Sequence, residues 1–181
     1  MSGRITIGLY NTYDRQKFRE AHRRVLARAA PLAMAFDFNL ATFGFPFPED
    51  RKTPVEIADF VADSTTIGAG GRYFRELADM GRFQYFPLPS RGFPPQLGSV
   101  IITTSAPYSR EITPEELAEM VMNGRSAVLV FGLGPHGLDK KTKSMGDFHM
   151  DLTGRRISLE TCTAIGSVSG VVWREIRYKR A

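Results

Sequence analysis

Apolar and polar positions along the chain follow two different rhythms, and the switches between them divide it into strand-like and helix-like segments. Residues 5–10 are a short apolar run that reads as a strand. Over residues 14–30, Phe18, Ala21, His22, Val25 and Ala29 recur at helical spacing and form one apolar face. A helix is expected there, capped by Asp14 and ended by Pro31. Residues 32–38 are apolar enough for a buried strand, and the aromatic, proline-rich residues 42–50 are expected to be loop. Thr53-Pro54-Val55-Glu56 is a capping box with proline at the first helical position, which predicts a helix over 54–61. Gly68-Ala69-Gly70-Gly71 interrupts the pattern, and a short helix resumes over 72–80 until Gly81.

The second half repeats the alternation. Residues 83–86 read as a strand, residues 87–98 carry four prolines and are expected to be irregular, and the β-branched run 99–104 reads as a strand. Thr113-Pro114-Glu115-Glu116 is a second capping box, opening a helix to about residue 123 with Gly124 as its stop. A buried strand over 126–131, a glycine-rich loop over 132–138, a short helix or strand before Asp151 and a final helix over 163–172 complete the chain. Such βα alternation predicts an α/β fold: a mostly parallel sheet with helices on both faces, in a single domain over 1–181.

Composition narrows the classes. With 181 residues, 43% of them apolar, the chain can bury a proper core, and its one cysteine, Cys162, cannot form an internal disulfide. The amino terminus lacks the apolar run of a signal peptide and no stretch is long enough to span a bilayer, so a cytoplasmic protein with no membrane partner is expected. The 24 basic residues exceed the 19 acidic ones and give a net charge of +5. Much of the excess lies in residues 14–30, where Arg15, Lys17, Arg19, Arg23, Arg24 and Arg28 face only Asp14 and Glu20. Arg174, Arg177, Lys179 and Arg180 form a second cluster. Either cluster alone reads as solvated surface charge, whereas the two together suggest RNA.

In a parallel sheet, ligands collect beyond the carboxyl ends of the strands, which directs attention to the loops after Thr104 and Phe131 and before Thr163. Gly132, Gly134 and Gly137 allow close backbone approach, and Ser158-Leu159-Glu160-Thr161-Cys162-Thr163 crowds small polar groups at a helix entrance. A tight turn and a polar cap are the plainer readings of these two segments. Gly68 to Gly71 lacks the following Lys-Ser/Thr of a P-loop, and the Gly-x-Gly-x-x-Gly spacing at 132–137 has no clear helix to receive a pyrophosphate. His22, His136 and His149 are scattered and supply no metal-ligand spacing, and His22 falls on the apolar helix face as a packed core residue. No basic partner for a Cys162 nucleophile is evident nearby.

Phe131-Gly132-Leu133-Gly134-Pro135-His136-Gly137-Leu138, then Leu152-Thr153-Gly154 and Ser158-Leu159-Glu160-Thr161-Cys162-Thr163-Ala164, resemble the carboxy-terminal motifs of the SPOUT superfamily of knotted RNA methyltransferases. The whole chain is further similar to a small archaeal family of unknown function within it. The resemblance covers about residues 99–170 and implies a carboxy-terminal trefoil knot that binds S-adenosylmethionine in its loops. By position, the cofactor-binding residues would be Thr104, Ser105, Phe131, Gly132, Gly134, Gly137, Leu138, Met150, Leu152, Ile157, Ser158, Leu159 and Ala164.

The resemblance also implies a homodimer, with an interface formed partly by the last helix, and structured RNA, tRNA or rRNA, as substrate. Thr66-Ile67-Gly68-Ala69-Gly70-Gly71-Arg72 resembles the Asn-x-Gly-x-x-x-Arg motif of the ribose-methylating branch, which makes Arg72 a catalytic candidate. Glu160, where the family has asparagine, is a second, as a carboxylate beside the methyl donor. Gly134, Cys162 and Thr66 also depart from the family pattern. The alternatives are a knotted RNA-binding protein or assembly factor without turnover, and a dinucleotide-binding protein using the 132–137 loop.

Overall fold

An unbroken apolar run suits a central parallel strand buried on both faces, and β1 (Ile5–Asn11) is buried along its whole length. The computed structural model describes residues 1–63 and 68–180. β1 pairs with β2 (Asn39–Phe43) on one side and β5 (Ala127–Leu133) on the other. With β3 (Phe83–Phe86), β4 (Ser99–Thr103) and β6 (Phe148–Met150) they form a six-stranded sheet of order β3-β2-β1-β5-β4-β6, and every pairing between these strands is parallel.

The order of the strands decides where the helices lie. The steps β1 to β2, β2 to β3 and β4 to β5 all run toward the β3 edge. Crossovers of one hand therefore carry α1 (Glu20–Ala35), α2 (Pro54–Ala62), α3 (Ala69–Asp79) and α4 (Pro114–Met122) to one face. Leu26, Ile57, Phe74 and Leu117 from these helices share a core with Ile7, Ile101 and Leu129 of the sheet, joined by Ile165, Val168 and Val172 of α6 (Thr161–Arg180). The steps β3 to β4 and β5 to β6 run the other way and cover the opposite face. There Tyr10, Phe43, Ile102 and Val130 pack under Leu88, Phe93 and Leu97 of the proline-rich connection, which contains one 3-10 turn, Pro95–Leu97. The short α5 (Lys140–Ser144) lies on the same side, with Thr142 bonded to the Tyr10 hydroxyl at 3.1 Å. Helices lie on both faces, as expected, but unequally: among the described residues, five serve one face and α5 the other.

Both capping boxes form as the sequence predicts, with Thr53 and Thr113 accepting from the N–H of Glu56 and Glu116. The first helix departs from expectation at both ends. Asp14 does not cap it: its carboxylate accepts from the N–H of Gln16 and Lys17 and pairs with Arg19 at 2.9 Å, so it organises a turn and holds its own pKa far below the ordinary carboxylate range through those bonds. The helix starts at Glu20, where the Arg19 N–H donates to His22 Nδ1 at 2.9 Å. Nor does Pro31 end it, and the strand expected over 32–38 does not exist: α1 runs on to Ala35. Pro31 withholds the N–H that the Ala27 carbonyl would normally receive. Gly70 of α3 occupies that gap, so close that a Cβ on it would lie 2.3 Å from Ala27 O. The second strand is instead Asn39–Phe43, which takes Thr42 and Phe43 from the expected loop. α3 begins three residues before Arg72, β5 extends through Leu133 into the expected glycine loop, and α6 is longer than expected at both ends.

Candidate functional site

The carboxyl ends of β4, β5 and β6 lead into three loops that are tied to one another by backbone carbonyls. Thr103 Oγ1 donates to Val130 O at 2.7 Å, Thr104 N to Met150 O at 3.0 Å, and Thr161 Oγ1 to Gly132 O at 3.0 Å. The Thr12 N–H and hydroxyl both donate to Leu133 O, which fixes the end of β5 against the segment leaving β1. Past β6, the Arg156 N–H donates to Asp151 Oδ2 at 2.9 Å, closing a turn in which Arg156 itself adopts a left-handed φ of 58°. The glycine loop doubles back so tightly that a Cβ at Gly132 would lie 3.1 Å from the carbonyl carbon of Gly137. Gly137, at φ 63°, has open space where its side chain would be, so its backbone can be approached from outside.

Between these loops lies a cavity of about 840 Å³. Every residue that the SPOUT resemblance assigns to the cofactor lines it, from Thr104 and Ser105 through Gly132 to Leu138, and on to Leu152 and Ala164. Phe131, Leu138 and Met150 are buried in its wall, while Ile157 and Leu159 are 60% and 40% exposed at its rim. Glu160 also lines it, but Arg72 does not. Arg72 sits on the outer side of α3, 68% exposed, paired with Glu76 at 3.5 Å and lying over Tyr73. Thr66 and Ile67 of its motif lie outside the described residues.

Lys143 of α5 reaches the cavity, and two further cations come from α1. Arg24 and Arg28 line it together with Tyr13, Ala21 and Val25. Arg28 interacts with Cys162 and Glu160, 132 and more residues away in sequence, and this pairing holds the guanidinium pKa above its ordinary value. The basic helix and the motif are each visible in the sequence, but nothing in it signals that one faces the other. Glu160 caps α6: its carboxylate accepts from Thr163 N at 3.0 Å. Burial pushes the Glu160 pKa up, but the N–H groups of Cys162 and Thr163, the Thr163 hydroxyl and the Arg28 charge outweigh it, so the net shift is downward. A carboxylate so committed is a weaker base. Burial pushes the Cys162 thiol up, with Arg28 opposing, and leaves it a neutral thiol at pH 7. His22 is fully buried, as expected of a core residue, and His149, also buried, has Nε2 2.9 Å from Lys143 O.

A family model described as protein of unknown function (DUF531) matches residues 5–173. The chain belongs to the DUF531 family. An uncharacterised protein of Methanocaldococcus jannaschii is 41% identical to this DUF531 chain over 176 residues, covering 97% of it and 96% of the relative. Among solved structures, a probable methylase family protein from Haemophilus influenzae Rd KW20 superposes with a TM-score of 0.64 at 17% identity, over 99% of this chain and 69% of the other. TrmJ from Z. mobilis ZM4 gives 0.61 at 12% identity, over 96% and 69%. The SpoU methyltransferase AviRb from Streptomyces viridochromogenes, solved in complex with the cofactor AdoMet, gives 0.52 at 10% identity, over 100% and 60%. At these identities the likeness establishes the fold: this chain shares the α/β architecture of these solved methylase and methyltransferase structures.

Proposed function

We propose that this DUF531 chain is a cytoplasmic, S-adenosylmethionine-dependent methyltransferase of structured RNA, tRNA or rRNA, working as a homodimer with its cofactor in a carboxy-terminal trefoil knot. The observation that carries the proposal is the convergence of three separate motif segments on one cavity, in a fold that solved methyltransferases share. The cavity suits the cofactor. Its volume lies within the usual range for a small-molecule site, roughly 300–1,000 Å³. Gly137 leaves backbone open to a ligand, and Ile157 and Leu159 offer apolar side chains that the chain itself leaves uncovered.

When bound, S-adenosylmethionine supplies an electrophilic methyl group on a sulfonium. Backbone amides and carbonyls of 103–106, 132–138 and 150–159 would hold it, with Leu138, Ile157 and Leu159 as the apolar side chains available to its adenine. Arg28 is the cation best sited to hold an acceptor phosphate or to neutralise negative charge developing on the acceptor oxygen, since it reaches the cavity and Arg72 does not. Glu160 caps α6, and its charge favours the charged form of that guanidinium. Catalysis then consists chiefly of holding donor and acceptor in line.

Calorimetry against S-adenosylmethionine and against NAD tests the first half of this reading. Binding of the former and not the latter is expected, and a protein that ignores S-adenosylmethionine and its demethylated product is not this enzyme. The second half is tested by methyl transfer to total RNA from a strain lacking the gene. Arg28→Ala should lower turnover about 100-fold, whereas Arg72→Ala should leave it close to wild type. Cofactor binding without transfer to any RNA would point instead to a binding protein.

A further inference from the structure

Tyr13 is held in an unusual way for an exposed side chain. It is 51% exposed and lines the cavity, yet everything beneath it is fixed. Its N–H donates to Asn11 Oδ1 at 3.0 Å, and its ring packs against the His22 ring with centroids 5.7 Å apart. Asn11 and His22 are fully buried. The Asn11 amide donates to the carbonyls of Asp14 and Gly44 at 2.8 and 2.9 Å, and His22 Nε2 lies 3.2 Å from Asn11 Oδ1. The neighbouring Thr12 is bonded twice to Leu133 O. The backbone beneath the ring is thus fixed, the ring packs on buried His22, and about half of the residue is open to water.

The surroundings indicate what the open side receives. Arg24 and Arg28 of α1 line the same cavity as Tyr13, as do His136 and Lys143. Carboxylates are present as well: Asp151 and Glu160 line the cavity, the latter facing Arg28, and Glu20 pairs with Arg24 at 3.4 Å. A rigid π-face flanked by guanidinium groups has the chemistry of a stacking platform, the ring taking a base and the cations its flanking phosphates. A base within a duplex already has both faces stacked and cannot use such a ring, whereas a looped-out or single-stranded base can. Resting on the RNA methyltransferase reading above, we infer that Tyr13 stacks an unpaired nucleotide at the mouth of the cavity, so that the acceptor RNA is engaged as a loop or extruded base and not as paired helix.

The test uses the full chain and a short unstructured RNA containing 2-aminopurine, whose fluorescence is quenched on stacking, together with the same strand in a duplex, at one fixed salt concentration. The single strand should bind roughly tenfold tighter than the duplex and be quenched. Tyr13→Ala should weaken single-strand binding by about tenfold or more and abolish the quench. Tyr13→Phe and Tyr13→Trp should keep both, because the ring and not the hydroxyl makes the contact. The thermal midpoint of each variant reports whether it is folded, and Tyr13→Leu, which keeps apolar bulk against His22 but removes the π-face, carries the comparison if the alanine variant is not. Single-strand binding that ignores Tyr13→Ala in a folded protein, an absence of preference over duplex, or an absence of binding overturns the inference. Calorimetry with S-adenosylmethionine on the same samples separates the two claims. A Tyr13-dependent site in a protein that does not bind the cofactor removes the methyltransferase reading alone, and cofactor binding with RNA binding indifferent to Tyr13 removes only the stacking site.

Discussion

Replacing a helical glycine with alanine ordinarily stabilises a protein, by up to about 1 kcal/mol from helix propensity. Gly70→Ala should do the reverse. The added methyl would sit 2.3 Å from Ala27 O and 3.0 Å from Ala27 C, both backbone atoms of a neighbouring helix that cannot swing aside. Relief requires α1 and α3 to separate by most of an ångström over a contact that buries Phe74, Leu77 and Ala78. Overpacking of one methyl group costs about 1–3 kcal/mol, and a backbone clash belongs at the upper end. Subtracting the propensity gain leaves a net loss of about 2 kcal/mol, or a fall of roughly 4–8 °C in Tm for a chain of this size. Gly166→Ala on α6 is the control, since its nearest contact would be Leu32 Cδ1 at 3.9 Å, and it should be neutral or stabilising by up to about 1 kcal/mol. Both are read from urea midpoints and thermal unfolding. If Gly70→Ala proved as stable as Gly166→Ala, the claim that Gly70 fills the place left by the missing Pro31 N–H would be wrong.

Glu160→Ala should cost about 1 kcal/mol at pH 7 through loss of the α6 cap. Because the folded carboxyl titrates below its ordinary value, the contribution is complete above about pH 4.5 and lost as pH falls through the folded pKa. The difference between wild type and variant in chemical denaturation should therefore narrow toward pH 3, and a constant difference would show that the charge plays no part. His22 has the opposite chemistry: burial holds its pKa below the ordinary 6.5, so the unfolded chain binds the proton first. Its contribution to stability is full above pH 6.5 and declines as pH falls below it. Unfolding midpoints between pH 7 and 5 should fall in the wild type more steeply than in His22→Gln, and parallel curves would assign the acid sensitivity elsewhere.

Much of the fold could be read locally because its signals are local. Thr53 and Thr113 with their glutamates three residues on form the helix starts expected of them, and the β-branched run from Ser99 is a strand. Residues 32–38 could not be read that way. An apolar run serves a buried helix as well as a buried strand, and Pro31 looks like a terminator until Gly70, thirty-nine residues later, is known to lie against the freed carbonyl. The candidate site divides similarly. The motif segments after β4, β5 and β6 are each visible in sequence and the strand order brings them together. The places of Arg28 and Tyr13 in the site are not legible in sequence, because they depend on α1 and the end of β1 meeting the start of α6. Arg72, a candidate from the motif at 66–72, does not line the cavity that the other candidates share.

The position of β5 has a consequence for how the chain is made. β1 lies in the middle of the finished sheet, yet its partner on that side, in register from Ile5 with Ala127 to Asn11 with Leu133, is synthesised more than a hundred residues later. While the ribosome is still making that part of the chain, β1 with β2 and β3 can assemble under α1 to α3, but one full edge of β1 has no strand to bond. A nascent chain halted between β3 and β5 would expose a long apolar edge suited to pairing with another copy of itself. Release of the chain beyond Leu133 is therefore the event that protects the sheet, and it also completes one wall of the cavity.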